Sequence, residues 1–176
     1  FNHSYTMLRL PLMLIGVSLG QLFYNRASEL FNQGKSMIPL LNKMLLVLTG
    51  LSIVPFTILF FYGEFLFSFV FGKDWALSGS YSETMSVWLM INFILSPIAA
   101  LPLILSKQKV FFIMGIVSSL IQVIPLWILP LKLGKTQEVL HLSLQIISYT
   151  QAAWLLVTIG VFYYFALKAA PEKMAS

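Results

Sequence analysis

Arg9 is the residue with the most distinctive chemistry in this sequence, because it is a cation inside an apolar stretch of about residues 5–24. At about 100° per residue, Arg9 shares a helix face with Gly16 and Gly20, whose GxxxG spacing allows close approach of another helix. Charged side chains are costly in a bilayer and tend to line polar pathways. Arg9 either faces a hydrated interior and binds an anionic group, or lies near the helix end and extends to the lipid headgroups. The sequence leaves both interpretations open.

Weakly polar side chains recur at helical spacing in three later apolar stretches. In chain order, these stripes are Asn92, Ser96, Ala99 and Leu103; Gly115, Ser118, Ser119 and Gln122; and Gln145, Tyr149, Ala152 and Tyr163. Such stripes are typical either of close helix packing or of the lining of a watery cavity. Packing is the commoner cause of a single stripe. Stripes in nearly every stretch, several of which also contain proline, favour a cavity built from bendable helices.

Catalytic and metal-binding groups are sparse. The two histidines, His3 and His141, have no carboxylate cluster beside them, and the six acidic residues all fall in predicted loops or at helix ends. No nucleotide-binding motif is present. The basic residues stand singly at the ends of apolar stretches, which argues against nucleic acid as a partner. We therefore expect a protein that is not an enzyme and has no cofactor and no bound metal.

The composition indicates a membrane protein. The 176 residues are 59% hydrophobic and 10% charged, with a mean hydropathy of +0.87, whereas a soluble domain is about half apolar with about a quarter of its residues charged. Segments that meet or approach the roughly 20 residues of a membrane span lie at about 5–24, 40–62, 84–105, 110–131 and 139–167. We predict an all-α polytopic membrane protein, with residues 1–176 forming a single transmembrane domain in the lipid bilayer. The start at Phe1 suggests a piece of a longer protein.

The distribution of lysine and arginine predicts the orientation. One set of predicted connections carries Arg26, Lys35, Lys43, Lys107, Lys109, Lys168 and Lys173. The opposite set carries Lys73, Lys132 and Lys135, with several acidic residues nearby. By the positive-inside rule, the first set is cytoplasmic. The N-terminus of the chain is then outside and its C-terminus is in the cytoplasm.

The connector from Phe65 to Tyr81 combines aromatic, charged and small polar residues. Its aromatic half is too short to span a bilayer and is expected to lie in the outer interface, with Trp75 as an anchor and Gly72 at the turn. Ser80 and Glu83 have capping-box spacing, which predicts that the third span begins there.

Glycine and proline predict further local features. Gly34 suits a left-handed cap at the end of the first helix. Pro55 is expected to kink the second span, and Pro97 to interrupt the hydrogen bonding of the third.

Three stretches resemble bacterial polysaccharide flippases. These are Tyr5-Thr-Met-Leu-Arg-Leu-Pro with its continuation to about residue 28, Phe71-Gly-Lys-Asp-Trp-Ala-Leu-Ser-Gly-Ser-Tyr, and Ile94-Leu-Ser-Pro followed by Lys107-Gln108. The similarity is to O-antigen translocases of the multidrug, oligosaccharidyl-lipid and polysaccharide exporter superfamily. It extends from about Tyr5 to Lys168, although the last two spans match in hydropathy more than in residues.

The resemblance implies that the chain is most of the C-terminal lobe of a two-lobed, alternating-access transporter in the bacterial inner membrane. The implied cargo is an undecaprenyl-diphosphate-linked oligosaccharide, and polysaccharide polymerases or assembly proteins are implied partners. Arg9 would then bind the diphosphate. Weaker candidates for binding the sugar are Gln21, Tyr24, Asn92, Gln122, Gln145 and Tyr149. The alternatives are a cation-coupled multidrug exporter, or a membrane enzyme or scaffold subunit of polysaccharide assembly.

Overall fold

A computed structural model describes residues 18–134 and 136–172, with the backbone alone for residues 170–172. Arg9, Gly16 and most of the first predicted span lie outside these residues. The described part of the chain is helical and contains no strand. Four of its helical segments are long and apolar enough to cross a membrane. The all-α, polytopic membrane fold predicted from composition is therefore confirmed.

Six helices make up the described chain. They are α1 (18–32), α2 (Ile38–Phe71), α3 (Ala76–Leu95), α4 (Leu101–Ile104), α5 (Gln108–Leu133) and α6 (Gln137–Glu172). Short 3-10 turns at Lys73–Trp75 and Ser96–Ile98 precede α3 and follow it. The four segments that could span a membrane are Ile38–Phe71, Lys73–Ile104, Gln108–Leu133 and Gln137–Ala169.

The buried core lies where α1, α2, α3 and α6 meet. Phe23 of α1, Leu48 of α2 and Phe162 of α6 are almost completely buried there, as is Leu101 in the short helix α4. Helix α3 packs against α2 on one side and α6 on another, and α6 also packs against α5. In α5, Met114 is the one residue that is buried within the described structure. The exposed apolar surface of α5 suits contact with lipid or with further helices.

The turn between α1 and α2 has the left-handed cap predicted at Gly34, which has φ +69°. The Lys35 N–H donates to the Leu30 carbonyl at 2.9 Å, and the Gly34 N–H donates to the Phe31 carbonyl at 3.1 Å. This pair of bonds is a Schellman motif, which satisfies carbonyls at the helix end.

The aromatic part of the connector is helical and follows a break in α2, and its predicted position in the outer interface stays a prediction. Helix α2 continues to Phe71, with non-helical angles inside it at Tyr62 (φ −134°, ψ 19°). The backbone therefore breaks at Tyr62, seven residues beyond the Pro55 at which the sequence predicts a kink. The segment after the break packs against α3, and that packing determines where α2 bends.

The predicted start of α3 is wrong. The helix begins at Ala76, so Ser80 lies inside it and does not cap it. The Glu83 carboxylate instead accepts a hydrogen bond from the Glu64 N–H of α2 at 2.8 Å. The break at Tyr62 disrupts helical geometry beside this N–H, and a carboxylate satisfies such a donor well. Glu83 therefore makes a contact between two helices and does not form the helix cap that the local motif predicts.

The contact between α2 and α3 involves the backbones themselves. A Cβ added at Gly79 would lie 2.5 Å from the Glu64 Cα and 2.5 Å from the Gly63 carbonyl oxygen. A Cβ at Gly63 would lie 2.9 Å from the Gly79 carbonyl oxygen. Real Cβ atoms do not approach backbone atoms this closely, so the two glycines permit a helix crossing that larger residues would block.

Candidate functional site

The polar side chains buried in the bundle are concentrated on one face of α6. Ser148, Gln151 and Thr158 lie on this face at intervals of three and seven residues, and each is at least 96% buried. These intervals return to the same side of an α-helix. Helix α6 packs against both α3 and α5, and Thr158 of this face lines a cavity between the three helices.

Two side-chain hydrogen bonds join α5 to α6. The Gln151 Nε2 donates to the Ser118 hydroxyl, and the Trp154 Nε1 donates to the Met114 carbonyl at 3.2 Å. Met114 and Ser118 are one helical turn apart on α5. Helices that have little hydrophobic driving force to associate within lipid commonly use such polar contacts.

A cavity of about 310 Å³ opens between α3, α5 and α6. Its lining includes Asn92 of α3, Ser96 and Ala99 from the turn that follows α3, Gly115 and Ser118 of α5, and Trp154 and Thr158 of α6. Most members of the stripes predicted on the third and fourth spans therefore face one space. Leu95, Phe111, Met114 and Leu155 complete the lining with apolar surface. A carboxamide and hydroxyls on apolar walls can bind the hydroxyls of a ligand but supply no charge.

Three buried polar atoms have no hydrogen-bond partner among the described residues. They are the Gln151 Oε1, the Ser148 Oγ and the Trp88 Nε1. An unpaired polar atom inside an apolar bundle costs free energy, of the order of 1–3 kcal/mol in proteins. Water, a ligand or a part of the protein outside the described residues would remove that cost. Two of these atoms, the Gln151 Oε1 and the Ser148 Oγ, belong to the same face of α6 as Thr158, although neither residue lines the cavity.

His141, near the start of α6, makes a contact with α3. Its Nε2 lies 3.0 Å from the Thr84 hydroxyl of α3, and its ring is 6.2 Å from that of Tyr81. No group of histidine and acidic side chains in the described residues could hold a metal ion. The arrangement of His141 is that of a hydrogen bond between helices.

The predicted sugar-binding residues are only partly brought together. Asn92 lines the cavity, and Gln122 is half-buried one turn beyond Ser118. Gln145 and Tyr149 are exposed on α6 and do not line the cavity. Gln21 and Tyr24 are likewise exposed, on α1, and do not line it. Arg9 lies outside the described residues.

Sequence reasoning missed Gln151 and Thr158. They belong to a stripe beside the one chosen, which contained Gln145 and Tyr149. The available signal was the recurrence of polar residues at 148, 151 and 158.

The residues predicted to have structural roles lie at turns and close contacts. A Cβ on Gly20 would lie 3.6 Å from the Pro97 Cα, so α1 approaches the 3-10 turn that contains Pro97. Gly72 ends α2 with φ +100°. Trp75 occupies the N-cap position of α3, and its ring centroid is 5.3 Å from that of Phe71.

The two ends of the bundle differ in their charged residues. Arg26, Lys35, Lys107, Lys109 and Lys168 are at one end, with the carboxylate of Glu29. Arg26 donates to Glu29 at 2.7 Å, which lowers the pKa of that exposed carboxyl group. The other end has Glu64, Lys73, Asp74, Glu83, Lys132 and Glu138.

Comparisons of the chain with known protein families, with curated protein sequences and with solved structures find no match.

Proposed function

We propose that this chain is the C-terminal part of a membrane flippase that moves an undecaprenyl-diphosphate-linked oligosaccharide across the bacterial inner membrane by alternating access. The observation that carries the proposal is the open cavity between α3, α5 and α6, in which polar side chains lie among apolar ones. Polar groups within a membrane protein are costly and tend to mark substrate pathways.

The chemistry of the cavity suits a neutral, hydroxyl-rich ligand. Asn92 supplies a donor and an acceptor, while Ser96 and Thr158 supply hydroxyls. Trp154 and Phe111 add aromatic surface on which a sugar ring can pack. A sugar would be bound by these groups, whereas the diphosphate needs a cation, for which Arg9 stays the candidate.

The exposed surface of α5 supports a larger assembly. Leu120 and Trp127 are among its many exposed apolar residues, and the cavity is open on one side. A second lobe would cover such an opening and form the other wall of a central passage. The lysine-rich end of the bundle would face the cytoplasm, which puts the C-terminus inside and the N-terminus of the chain outside.

Deletion and complementation of the full-length gene would test this proposal. We expect deletion to abolish surface polysaccharide and to make its lipid-linked precursor accumulate. Complementation with Asn92→Leu should restore export to less than about a tenth of the level that the wild-type gene restores. The variant replaces hydrogen-bonding groups in the cavity with apolar surface. Asn42→Leu is the matched control, since Asn42 is exposed on α2 and does not line the cavity.

Both strains must contain equal amounts of protein in the membrane, measured by immunoblot. Normal polysaccharide display after deletion, with no accumulated precursor, would contradict the proposal. Equal export by the Asn92→Leu and Asn42→Leu proteins would exclude the cavity as the binding site.

A cation-coupled multidrug exporter is the second candidate, and the unpaired acceptors on α6 favour it. The Gln151 Oε1 and the Ser148 Oγ are oxygen atoms of the kind that hard cations bind. Drug resistance that depends on the full-length gene and disappears when the sodium or proton gradient is collapsed would support this candidate. Resistance that is unaffected by deleting the gene would exclude it.

A further inference from the structure

A second cavity, of about 390 Å³, lies at the lysine-rich end of the bundle. It is lined by Phe31 of α1, Leu105 and Lys107 from the turn before α5, and Tyr164, Phe165, Lys168 and Ala169 of α6. We call it the two-lysine pocket. It is separate from the polar cavity, because the two share no lining residue.

Both lysines lie beside aromatic rings within this pocket. The Lys107 Nζ is 5.8 Å from the centroid of Phe165, and the Lys168 Nζ is 5.1 Å from that of Tyr164. Cation–π contacts of this length hold an ammonium group near a ring without neutralising its charge. The rings therefore position two cations around one space.

The surroundings of Lys107 are electrostatically positive. Lys107 is the N-cap residue of α5, a 26-residue helix with no acidic residue in its first turn. The N-terminus of a helix attracts anions and disfavours cations. The ion pair of Glu29 at this end is with Arg26. A bound anion would offset the repulsion at Lys107.

The backbone holds Lys107 in place. Ser106 precedes it in a left-handed conformation, with φ +54°, which is uncommon for a residue other than glycine. The Lys107 N–H donates to the Pro102 carbonyl at 2.8 Å, and the Ser106 N–H donates to the Leu103 carbonyl at 3.3 Å. These bonds form a second Schellman motif, so the lysine follows a defined turn and does not belong to a loose loop.

Helix α6 is long enough for its end at the pocket to reach the level of the lipid headgroups. Helix α6 has 36 residues, which at a rise of about 1.5 Å per residue makes it about 54 Å long. The hydrocarbon core of a bilayer is about 30 Å thick. The end of α6 that carries Lys168 therefore extends beyond the hydrocarbon, while Leu105, Phe165 and Phe31 provide apolar walls next to it.

We propose that the two-lysine pocket binds the phosphate headgroup of an anionic membrane lipid. The phosphate would lie between Lys107 and Lys168 at the N-terminus of α5, and the first carbons of the acyl chains would pack on the aromatic walls. Basic pockets between transmembrane helices on the cytoplasmic side bind such headgroups in other proteins. The proposal does not depend on the transport function, because it requires only a bilayer that contains anionic lipid.

Lipid binding to the purified full-length protein, measured by native mass spectrometry, would test the site. We expect short-chain phosphatidylglycerol to bind, and the double variant Lys107→Gln/Lys168→Gln to bind it about 25-fold more weakly, about fivefold for each lysine. Lys107→Arg should retain binding within about twofold, because it keeps the cation. Lys43→Gln and Lys132→Gln are matched controls outside the pocket, and neither should weaken binding.

Three results would overturn the proposal. They are equal binding by the wild-type protein and the double variant, equal loss in a control variant, and binding of phosphatidylcholine as tight as that of phosphatidylglycerol. If the double variant does not fold, as judged by circular dichroism and gel filtration, each single Gln variant is compared with its Arg counterpart. Inorganic diphosphate distinguishes the sources of phosphate. If it binds as tightly as the lipid and with the same lysine dependence, the site takes free phosphate and the lipid assignment is wrong.

Discussion

The contact between α2 and α3 and the contact between α5 and α6 hold helices together in opposite ways. At the first, the backbones meet at Gly63 and Gly79, and the Glu83 carboxylate binds the Glu64 N–H. At the second, side chains make the contact, a cavity of about 310 Å³ lies alongside, and the Gln151 Oε1 has no partner among the described residues. Backbone contact leaves no room for one helix to slide, whereas side-chain contacts beside a cavity can be rearranged. We therefore expect α2 and α3 to move as a unit and α5 to be the helix that changes position in the proposed transport cycle.

The largest effect should come from Gly79→Ala, which tests the rigidity of the α2–α3 contact. The new Cβ would overlap backbone atoms of Gly63 and Glu64 that cannot rotate away. We expect a loss of about 3 kcal/mol in the free energy of unfolding, the upper part of the usual range for overpacked sites. Unfolding of the purified full-length protein in mixed micelles would measure it.

Gly50→Ala is the control for this change, because a Cβ at Gly50 meets no atom within 4 Å. It should leave the stability unchanged or raise it by up to about 1 kcal/mol, since alanine is the better helix former. Similar stabilities of the two variants would show that α2 and α3 are not in backbone contact.

The second-largest loss of stability is expected from substitutions of Glu83. Glu83→Ala removes the acceptor of the Glu64 N–H, and we expect a loss of about 1.5 kcal/mol, as for a lost helix cap. Glu83→Gln keeps an acceptor oxygen and should cost less than half as much. Hydrogen exchange at the Glu64 amide provides a local measurement, and exchange should be faster in Glu83→Ala. Unchanged protection of that amide in Glu83→Ala would mean that the carboxylate does not bind it.

A double-mutant cycle between Ser118 and Gln151 tests the side-chain contact between α5 and α6. We expect Ser118→Ala and Gln151→Leu to show a coupling energy of about 1 kcal/mol, which is typical of hydrogen bonds between membrane helices. Ser119→Ala paired with Gln151→Leu is the control, because the Ser119 hydroxyl donates to the Gly115 carbonyl of its own helix. Additive effects of Ser118→Ala and Gln151→Leu would show that this bond does not join the helices.

The smallest effect is expected at the turn before α5. Ser106→Gly should raise the free energy of unfolding by about 0.5 kcal/mol, because relief of about 1 kcal/mol of left-handed strain is partly offset by the backbone entropy of glycine. Ser106→Val should lower stability, since a β-branched residue is strained in this conformation. Equal stabilities of these two variants would show that the left-handed turn does not form.

Hydropathy and single residues predicted the parts of the fold that depend on local physics. The apolar stretches identified the all-α membrane fold, and Gly34 identified a left-handed cap because few other residues tolerate that conformation. The break at Tyr62 and the true start of α3 could not be predicted. They depend on Gly63, Gly79 and Glu83, which meet only after α2 and α3 pack.

The same distinction applies to the candidate site. The stripes that contain Asn92 and Ser118 could be read from helical spacing, and both residues line the cavity. Helical spacing alone could not show which face of α6 is buried, because two polar stripes lie side by side on that helix. The neighbouring helices determine that Gln151 is buried and that Tyr149 is exposed.

Water access to the cavity is the most direct test of the central claim that α3, α5 and α6 surround a polar passage. This chain has no cysteine, so single cysteines can be introduced and treated with a charged, membrane-impermeant thiol reagent. Only thiolates that contact water react at useful rates. The controls are Ser52→Cys, at a fully buried position on α2, and Ile124→Cys, on the exposed apolar surface of α5. We predict that Ser96→Cys in the full-length membrane protein is labelled and that both controls are not. Labelling of Ser96→Cys no faster than that of Ile124→Cys would contradict the existence of a hydrated passage.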